Sequence, residues 1–274
     1  MKESANKLKI FLYSAIGLTL LCVLLFTVSM FVAFDPDVGY FKSTHFLPHL
    51  QSALLIVSLV FFGSVIFLFT KNSLDTSNPS NTSLTSFASL FCGFVFIAGI
   101  VITFLSTYKN ASDLNQFQRY IFSIIMVSGL VGSVYFIYDA LTPGKSGLTL
   151  KIISAISVII YLLDNIIFEH VDLFVPINAP RKTLLFLSFI SASVFIVQKL
   201  RFKVGIGQPR AYIFFGATST LLCATFSISS LIAHYTGIFK DTSFLVYYLI
   251  AFALAVYSCT DLLSYMKHIN EQEV

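Results

Sequence analysis

The chain is predicted to be an all-α, polytopic transmembrane helical bundle with eight spans. Three observations predict it. The 274 residues are 57% hydrophobic and 11% charged, with a mean hydropathy of +0.86, whereas soluble domains run nearer 45–50% apolar and about 25% charged. Apolar runs recur that reach the roughly 20 residues needed to cross a hydrocarbon core of about 30 Å. No polar stretch exceeds about 20 residues, well short of the ~50 that a separate soluble domain requires. One integral membrane domain over 1–274 follows.

In order, the spans are 10–33, 50–70, 86–107, 120–141, 148–168, 183–200, 212–235 and 243–264. The first apolar run extends from Leu8 to Phe34. A signal-peptide core covers only about 7–15 residues and ends at a small-residue cleavage site, so this run reads as a retained helix. Asp35-Pro36 ends it, and Asn78-Pro79-Ser80-Asn81 breaks 71–85. Pro143-Gly144 closes the fourth span, Pro176 and Pro180 precede the sixth, and Gly207-Gln208-Pro209 precedes the seventh. The sixth is short and flanked by Arg181, Lys182, Lys199 and Arg201, whose long stems can snorkel to the interface.

Cations orient the bundle, because loops on the cytoplasmic side carry an excess of Lys and Arg. With the N-terminus inside, Lys2, Lys7, Lys9, Lys71, Lys145, Lys151, Lys199, Arg201, Lys203, Arg210 and Lys267 lie inside. Only Lys42, Lys109, Arg119, Arg181, Lys182 and Lys240 lie outside. Both termini are therefore expected in the cytoplasm. With no Trp in the chain, Tyr40, Tyr108, Tyr120, Tyr212, Tyr235, Tyr247 and Tyr265 near span ends must supply the interfacial aromatic belt.

A weak internal echo suggests two halves, 10–141 and 148–264. Phe34-Asp35-Pro36-Asp37 follows the first span, and Phe168-Glu169-His170-Val171-Asp172 follows the fifth. The fourth span ends Val134-Tyr135-Phe136-Ile137-Tyr138-Asp139-Ala140-Leu141. The eighth ends Val256-Tyr257-Ser258-Cys259-Thr260-Asp261-Leu262-Leu263, so both carry VYxxxDxL. Four spans per half keeps the halves in the same orientation, so a parallel four-plus-four repeat is expected.

Ionisable residues inside spans are costly and usually face protein or water. Asp139 and Asp261 fall at the inner ends of the fourth and eighth spans. As interfacial residues they would pair with Lys145, Lys151 or Arg210; as functional ones they would form an inner gate or cation contact. Asp164 completes a stripe of Lys151, Ser154, Ser157, Tyr161 and Asp164, spaced 3, 3, 4 and 3, which is one helix face. The seventh span has Gly216, Thr220, Cys223, Ser227, Ser230 and His234, and the fourth has Ser128, Gly132, Tyr135 and Asp139. Such faces serve close helix packing with interhelical hydrogen bonds, or else line a hydrated route. Asp164 and His234 lie at similar depth and are expected to meet as an ion pair or protonation switch.

A second candidate site lies in the outer loops 35–49 and 169–182, with Asp35, Asp37, His45, His49, Glu169 and His170. These are possible ligand types, but no tight metal motif is present, so no metal is assigned. Cys22, Cys92, Cys223 and Cys259 lie within apolar runs without CxxC spacing and read as small apolar residues. No nucleophile elbow, HExxH or phosphate-binding loop occurs. No paired intramembrane histidines are available to hold haem, so neither an enzyme nor a cofactor is expected. The net charge of +4 comes without a basic, aromatic-interleaved run, which excludes a nucleic-acid surface.

The segment Phe34-Asp35-Pro36-Asp37-Val38-Gly39-Tyr40-Phe41 directly after a first span resembles the acidic Pro/Gly/aromatic turn of uncharacterised multispanning membrane proteins of clostridial-type bacteria. That resemblance covers about 15 residues. It implies a bacterial plasma membrane and brings no activity with it. The leading functional expectation is a permease-like protein that moves or binds a small solute or ion between the halves. The alternative is a non-transporting sensor or assembly protein that works through loops 35–49 and 169–182. The lipid bilayer is the one partner expected in either case.

Overall fold

The structure, a computed structural model, describes residues 2–35, 38–42, 44–68, 82–109, 115–142, 147–171, 179–239 and 244–271. Eight helices dominate it: α1 (Lys2–Val32), α2 (Leu47–Leu68), α3 (Ser83–Lys109), α4 (Gln116–Leu141), α5 (Leu148–Val171), α6 (Pro180–Val204), α7 (Pro209–Tyr235) and α8 (Leu245–Glu271). All eight are long and apolar enough to span a bilayer. Large apolar side chains such as Leu20, Phe67, Phe87, Val127 and Ile153 point outward. An outward apolar surface of this extent is stable against lipid tails, not water. The chain is an integral, multi-pass membrane protein.

An even number of spans brings both termini to one end of the bundle, here called the terminal end. The opposite end carries a small antiparallel hairpin of β1 (Phe34–Asp35) and β2 (Tyr40–Phe41), with Phe34 opposite Phe41 and Asp35 opposite Tyr40. Gly39 closes its turn at a φ of 77° and donates its N–H to Asp35 O at 2.8 Å. A side chain at that φ would meet its own backbone, so glycine fits the turn. Phe34 stacks edge-on with Phe239 at 5.2 Å between centroids, which ties the hairpin to the end of α7.

Helix α7 is the hub, packed by α1, α2, α6 and α8. Helix α8 lies against α7, α3, α1 and α6, and a wall of α3, α4, α5 and α6 closes on it in sequence order. The four-plus-four repeat is not seen in this arrangement. Helix α6 packs along α7, yet its counterpart α2 packs against α1 and α7; likewise α3 packs along α8, while α7 is packed by α1, α2, α6 and α8. The shared VYxxxDxL endings are two similar helix ends, and a repeat of the halves is not shown.

Small residues let the backbones approach. A Cβ on Gly132 of α4 would stand 3.1 Å from the backbone nitrogen of Val158 on α5, and one on Gly216 of α7 would strike the Leu262 side chain of α8. Hydroxyls cross the α7–α8 seam and three others. Ser89 donates to Phe136 O at 2.9 Å, Ser188 to Leu222 O at 3.0 Å and Ser229 to Val23 O at 3.1 Å, while Thr220 and Ser258 share a 2.9 Å bond. Without a hydrophobic driving force between helices in lipid, close packing and such bonds hold them together.

Candidate functional site

The fourth and eighth spans end in the same pair of residue types, Tyr and Asp four apart. In each case one helical turn puts the pair on one face. On α4 these are Tyr135 and Asp139, and on α8 Tyr257 and Asp261. Helix α6 offers Lys199 and Lys203, also one turn apart, between them. Its end is fixed just beyond Lys203. Gly205, at a φ of 89°, donates to Phe202 O at 3.0 Å, and Ile206 donates to Arg201 O at 2.9 Å, a left-handed closure that satisfies the last carbonyls. Pro209 then opens α7 in its first turn, and Tyr212 follows on the first face to enter the bundle.

These residues meet at the terminal end. Lys199 Nζ lies 2.6 Å from Asp261 Oδ1 and 3.2 Å from Asp139 Oδ2. Lys203 pairs with Asp139 Oδ1, and the Tyr212 hydroxyl donates to Asp261 Oδ2. The Tyr257 hydroxyl lies 3.3 Å from both Asp139 Oδ2 and the Tyr135 hydroxyl. Lys199 also stands over the Tyr257 ring at 4.3 Å, and Lys203 over the Tyr135 ring at 5.5 Å. All four charged residues are at most 5% exposed. Every carboxylate oxygen accepts a bond, and two positive charges balance two negative ones. That balance is what allows four charges to remain buried together.

Deeper in the bundle, the space between the helices is filled by rings. Phe136 is 5.1 Å from Tyr257 and 5.0 Å from Phe96, and Phe96 is 5.1 Å from Tyr161. Phe195 joins from α6, 6.3 Å from Tyr257 and 5.5 Å from Tyr212. The charged network therefore stops one end of an aromatic column.

The structure places Asp139, Tyr161 and Asp261 in this interior, as the sequence suggests, but it assigns the carboxylates different partners. Their cations are Lys199 and Lys203, which the cation count treats only as membrane-flanking anchors. Lys151 instead donates to Thr142 O and lies 5.6 Å from the Tyr138 ring, and Lys145 lies outside the described residues. The lysines carried a usable signal. Their i,i+4 spacing matches that of both Tyr-Asp pairs, whereas Arg201 between them projects to another face.

The α5 stripe needs correction at two residues, Ser157 and Asp164, which are half-buried and off the buried face. Its buried face is Lys151, Ser154, Ala155, Val158, Tyr161, Leu162, Asn165 and Glu169. Asn165 continues it and donates to Tyr161 O at 2.6 Å. Asp164 is half-buried and displaced by one position, about 100° around the helix, and its Oδ2 has no hydrogen-bond partner among the described residues. Nor do Asp164 and His234 pair. Helix α6 lies between α5 and α7, His234 is half-buried, and its Nδ1 has no hydrogen-bond partner among the described residues. Ser227 and Ser230 are fully buried on α7. Ser227 is 3.5 Å from Ala224 O, and their stripe is a packing seam, with Cys223 Sγ 3.5 Å from Ser188 O.

The outer-loop residues are not gathered into one site. Asp35 is half-buried in the hairpin, and Asp37 lies outside the described residues, as do 172–178. His45 is half-buried and His49 exposed where α2 begins, while Glu169 is buried at the end of α5 and its carbonyl accepts from Lys182 at 2.7 Å. His170 is exposed, 6.4 Å from the Phe186 ring. Helix α2 packs on α1 and α7, and α5 on α4 and α6. Among the described residues no group of three or more His, Cys, Asp or Glu converges to hold a metal.

Comparison of the chain with protein-family models, curated proteins and solved structures gives no match.

Proposed function

We propose that this is a permease-like membrane protein that moves a small solute or ion through the bundle, with the network of Asp139, Lys199, Lys203 and Asp261 as its gate at the terminal end. One observation carries the reading. Four charges contributed by three helices are gathered at one end of an aromatic-filled interior. Buried charge pairs are poor stabilisers compared with apolar packing of the same volume, so their concentration at one end favours a switchable closure over a simple brace. Lys199 suits that role, because it contacts carboxylates on two different helices. The chemistry is binding and passage without catalysis. The membrane would be the plasma membrane of a bacterium, with the terminal end cytoplasmic.

The test is electrical. Purified protein in proteoliposomes adsorbed on a solid-supported membrane is exposed to rapid jumps of amino acids, sugars, organic anions, amines and inorganic ions. At least one jump should give a transient charge displacement that disappears in D139N and D261N variants that still insert and fold. No displacement and no isotope uptake across the whole panel would overturn the reading.

The hairpin favours a second reading, a sensor or assembly protein. It is anchored through Phe34 to Phe239, and Phe239 lies 5.1 Å from Arg181 at the start of α6. A partner seated on β1 and β2 would thus press on the helix that carries Lys199. On this reading, removal of the hairpin abolishes partner capture while D261N does not.

A further inference from the structure

We propose that the groove between α1 and α8 binds an anionic phospholipid from the leaflet at the terminal end. One acyl chain lies in the groove, and the phosphate sits against Lys9, Arg210 and Lys267. The site stands apart from the charged network and does not depend on the gate reading. Helices α1 and α8 form the walls of the groove and α7 its floor. It runs from Leu12 to Val23 on α1, from Ala217 to Ile228 on α7 and from Leu263 back to Phe252 on α8. The wider part is a cavity of about 260 Å³ that opens to the outside of the bundle.

The lining suits a hydrocarbon chain. Thr19, Thr220 and Thr260 are part of it, but each turns its hydroxyl back onto its own helix. They donate to Ala15 O at 2.8 Å, Gly216 O at 2.9 Å and Val256 O at 2.9 Å, a bond that a threonine within a helix can make to the preceding turn. Volume decides against a helix as the occupant. The cavity follows α1 from Ile16 to Val23, which is about 10 Å of rise, and a helix about 10–12 Å across would need several times its space.

Length and charge choose the lipid. From Lys9 to Val23 the rise along α1 is about 21 Å, and from Lys267 to Phe252 along α8 it is about 22 Å. Half of a bilayer, headgroups included, is about 20–22 Å thick. Register places the cations at the mouth. Lys9 lies two turns before Ile16, Arg210 two turns before Ala217 and Lys267 one turn after Leu263, so each shares the groove face of its helix. Lys9 and Lys267 are exposed, and Arg210 is half-buried. Their stems are long enough to carry the charge to the headgroup layer. Three cations at one mouth of an apolar groove favour a negative head over a zwitterionic one.

Photo-crosslinking tests this on the full chain in phosphatidylcholine nanodiscs. The discs carry a trace of phosphatidylglycerol, or of phosphatidylcholine, with a diazirine halfway along one acyl chain, and adducts are mapped by peptide mass spectrometry. The phosphatidylglycerol probe should mark 12–23, 217–228 and 252–263 several-fold above the outward face at Val127 and Ile153. Unlabelled phosphatidylglycerol should compete, and added phosphatidylcholine should not. K9Q and K267Q should each cut the groove adducts about fivefold, the weight of one cation beside anionic lipid. A224F, which fills the floor, should remove them and leave those at Val127 unchanged. Equal marking of the groove by the two probes, or marking no stronger than at Val127, would overturn the proposal. So would an unmarked groove in a chain that native mass spectrometry finds dimeric, because a second copy then covers it. The two-probe comparison and the competition use the wild-type chain, so they decide the matter even if a variant does not fold.

Discussion

Lys199 Nζ lies 2.6 Å from Asp261 Oδ1, a contact that joins α6 to α8 across 62 residues of sequence. The same ammonium reaches Asp139 on α4 at 3.2 Å. A single side chain thus links three helices at one end of the bundle.

Removing one member of this set should cost more than removing a balanced pair. Lys203→Met leaves Asp139 with one shared ammonium, and loss of one partner of a buried pair costs about 3–5 kcal/mol. The double variant D139N/K203M should recover a large part of that loss. Thermal unfolding in detergent, read as a double-mutant cycle, checks it; equal losses in the single and double variants would contradict the pairing.

Tyr257 separates hydrogen bonding from ring contact. Tyr257→Phe removes a hydroxyl that lies 3.3 Å from both Asp139 and Tyr135 and keeps the ring below Lys199. It should cost about 1 kcal/mol. Tyr257→Leu also removes the ring that Lys199 faces at 4.3 Å and should cost distinctly more. The same unfolding measurement ranks the two.

Helix spacing gives a third expectation. Gly132→Leu must force α4 from α5, because a Cβ there already stands 3.1 Å from Val158 N. Overpacking of this kind costs about 1–3 kcal/mol. At Gly17, where a Cβ meets nothing within 4 Å, the change to Ala should be tolerated. Expression level and melting temperature in membranes would report both.

Orientation is open to direct measurement. A cysteine at Val38, in the exposed hairpin turn, should react with a membrane-impermeant maleimide from outside intact cells. One at Gly205 should react only after permeabilisation. Each would be introduced into a chain freed of its four native cysteines, of which Cys22, Cys92 and Cys223 are buried and Cys259 is half-buried. The opposite pattern would invert the bundle.

Much of the architecture was legible because apolar length and Pro/Gly punctuation are local signals. Pro180 and Gly207-Gln208-Pro209 mark helix limits in the structure as they do in the sequence. The site was half legible. Tyr135-Asp139 and Tyr257-Asp261 stood out because carboxylates in apolar runs are costly. Lys199 and Lys203 did not, because lysines next to a span end look like ordinary interfacial anchors; their contacts with Asp139 of α4 and Asp261 of α8 show them turned inward. The stripe on α5 left the buried face at Ser157 and Asp164, whose neighbours Val158 and Asn165 are buried instead, because periodicity alone does not choose between neighbours about 100° apart. The repeat rests on matched helix ends, and helix ends say nothing of which helices touch.

The connection between α6 and α7 has a mechanical consequence. Residues 205–208 are the whole of it, closed by the left-handed turn at Gly205 and restarted by Pro209. The two helices are therefore jaws of one clamp with almost no slack at the joint. Lys199 on one jaw and Tyr212 on the other both hold Asp261. Neither jaw can retreat far alone, so on the proposed gate reading this end would open by α8 sliding out of the clamp. A short cross-link between α6 and α7 would leave that stroke free, and one between α7 and α8 would arrest it.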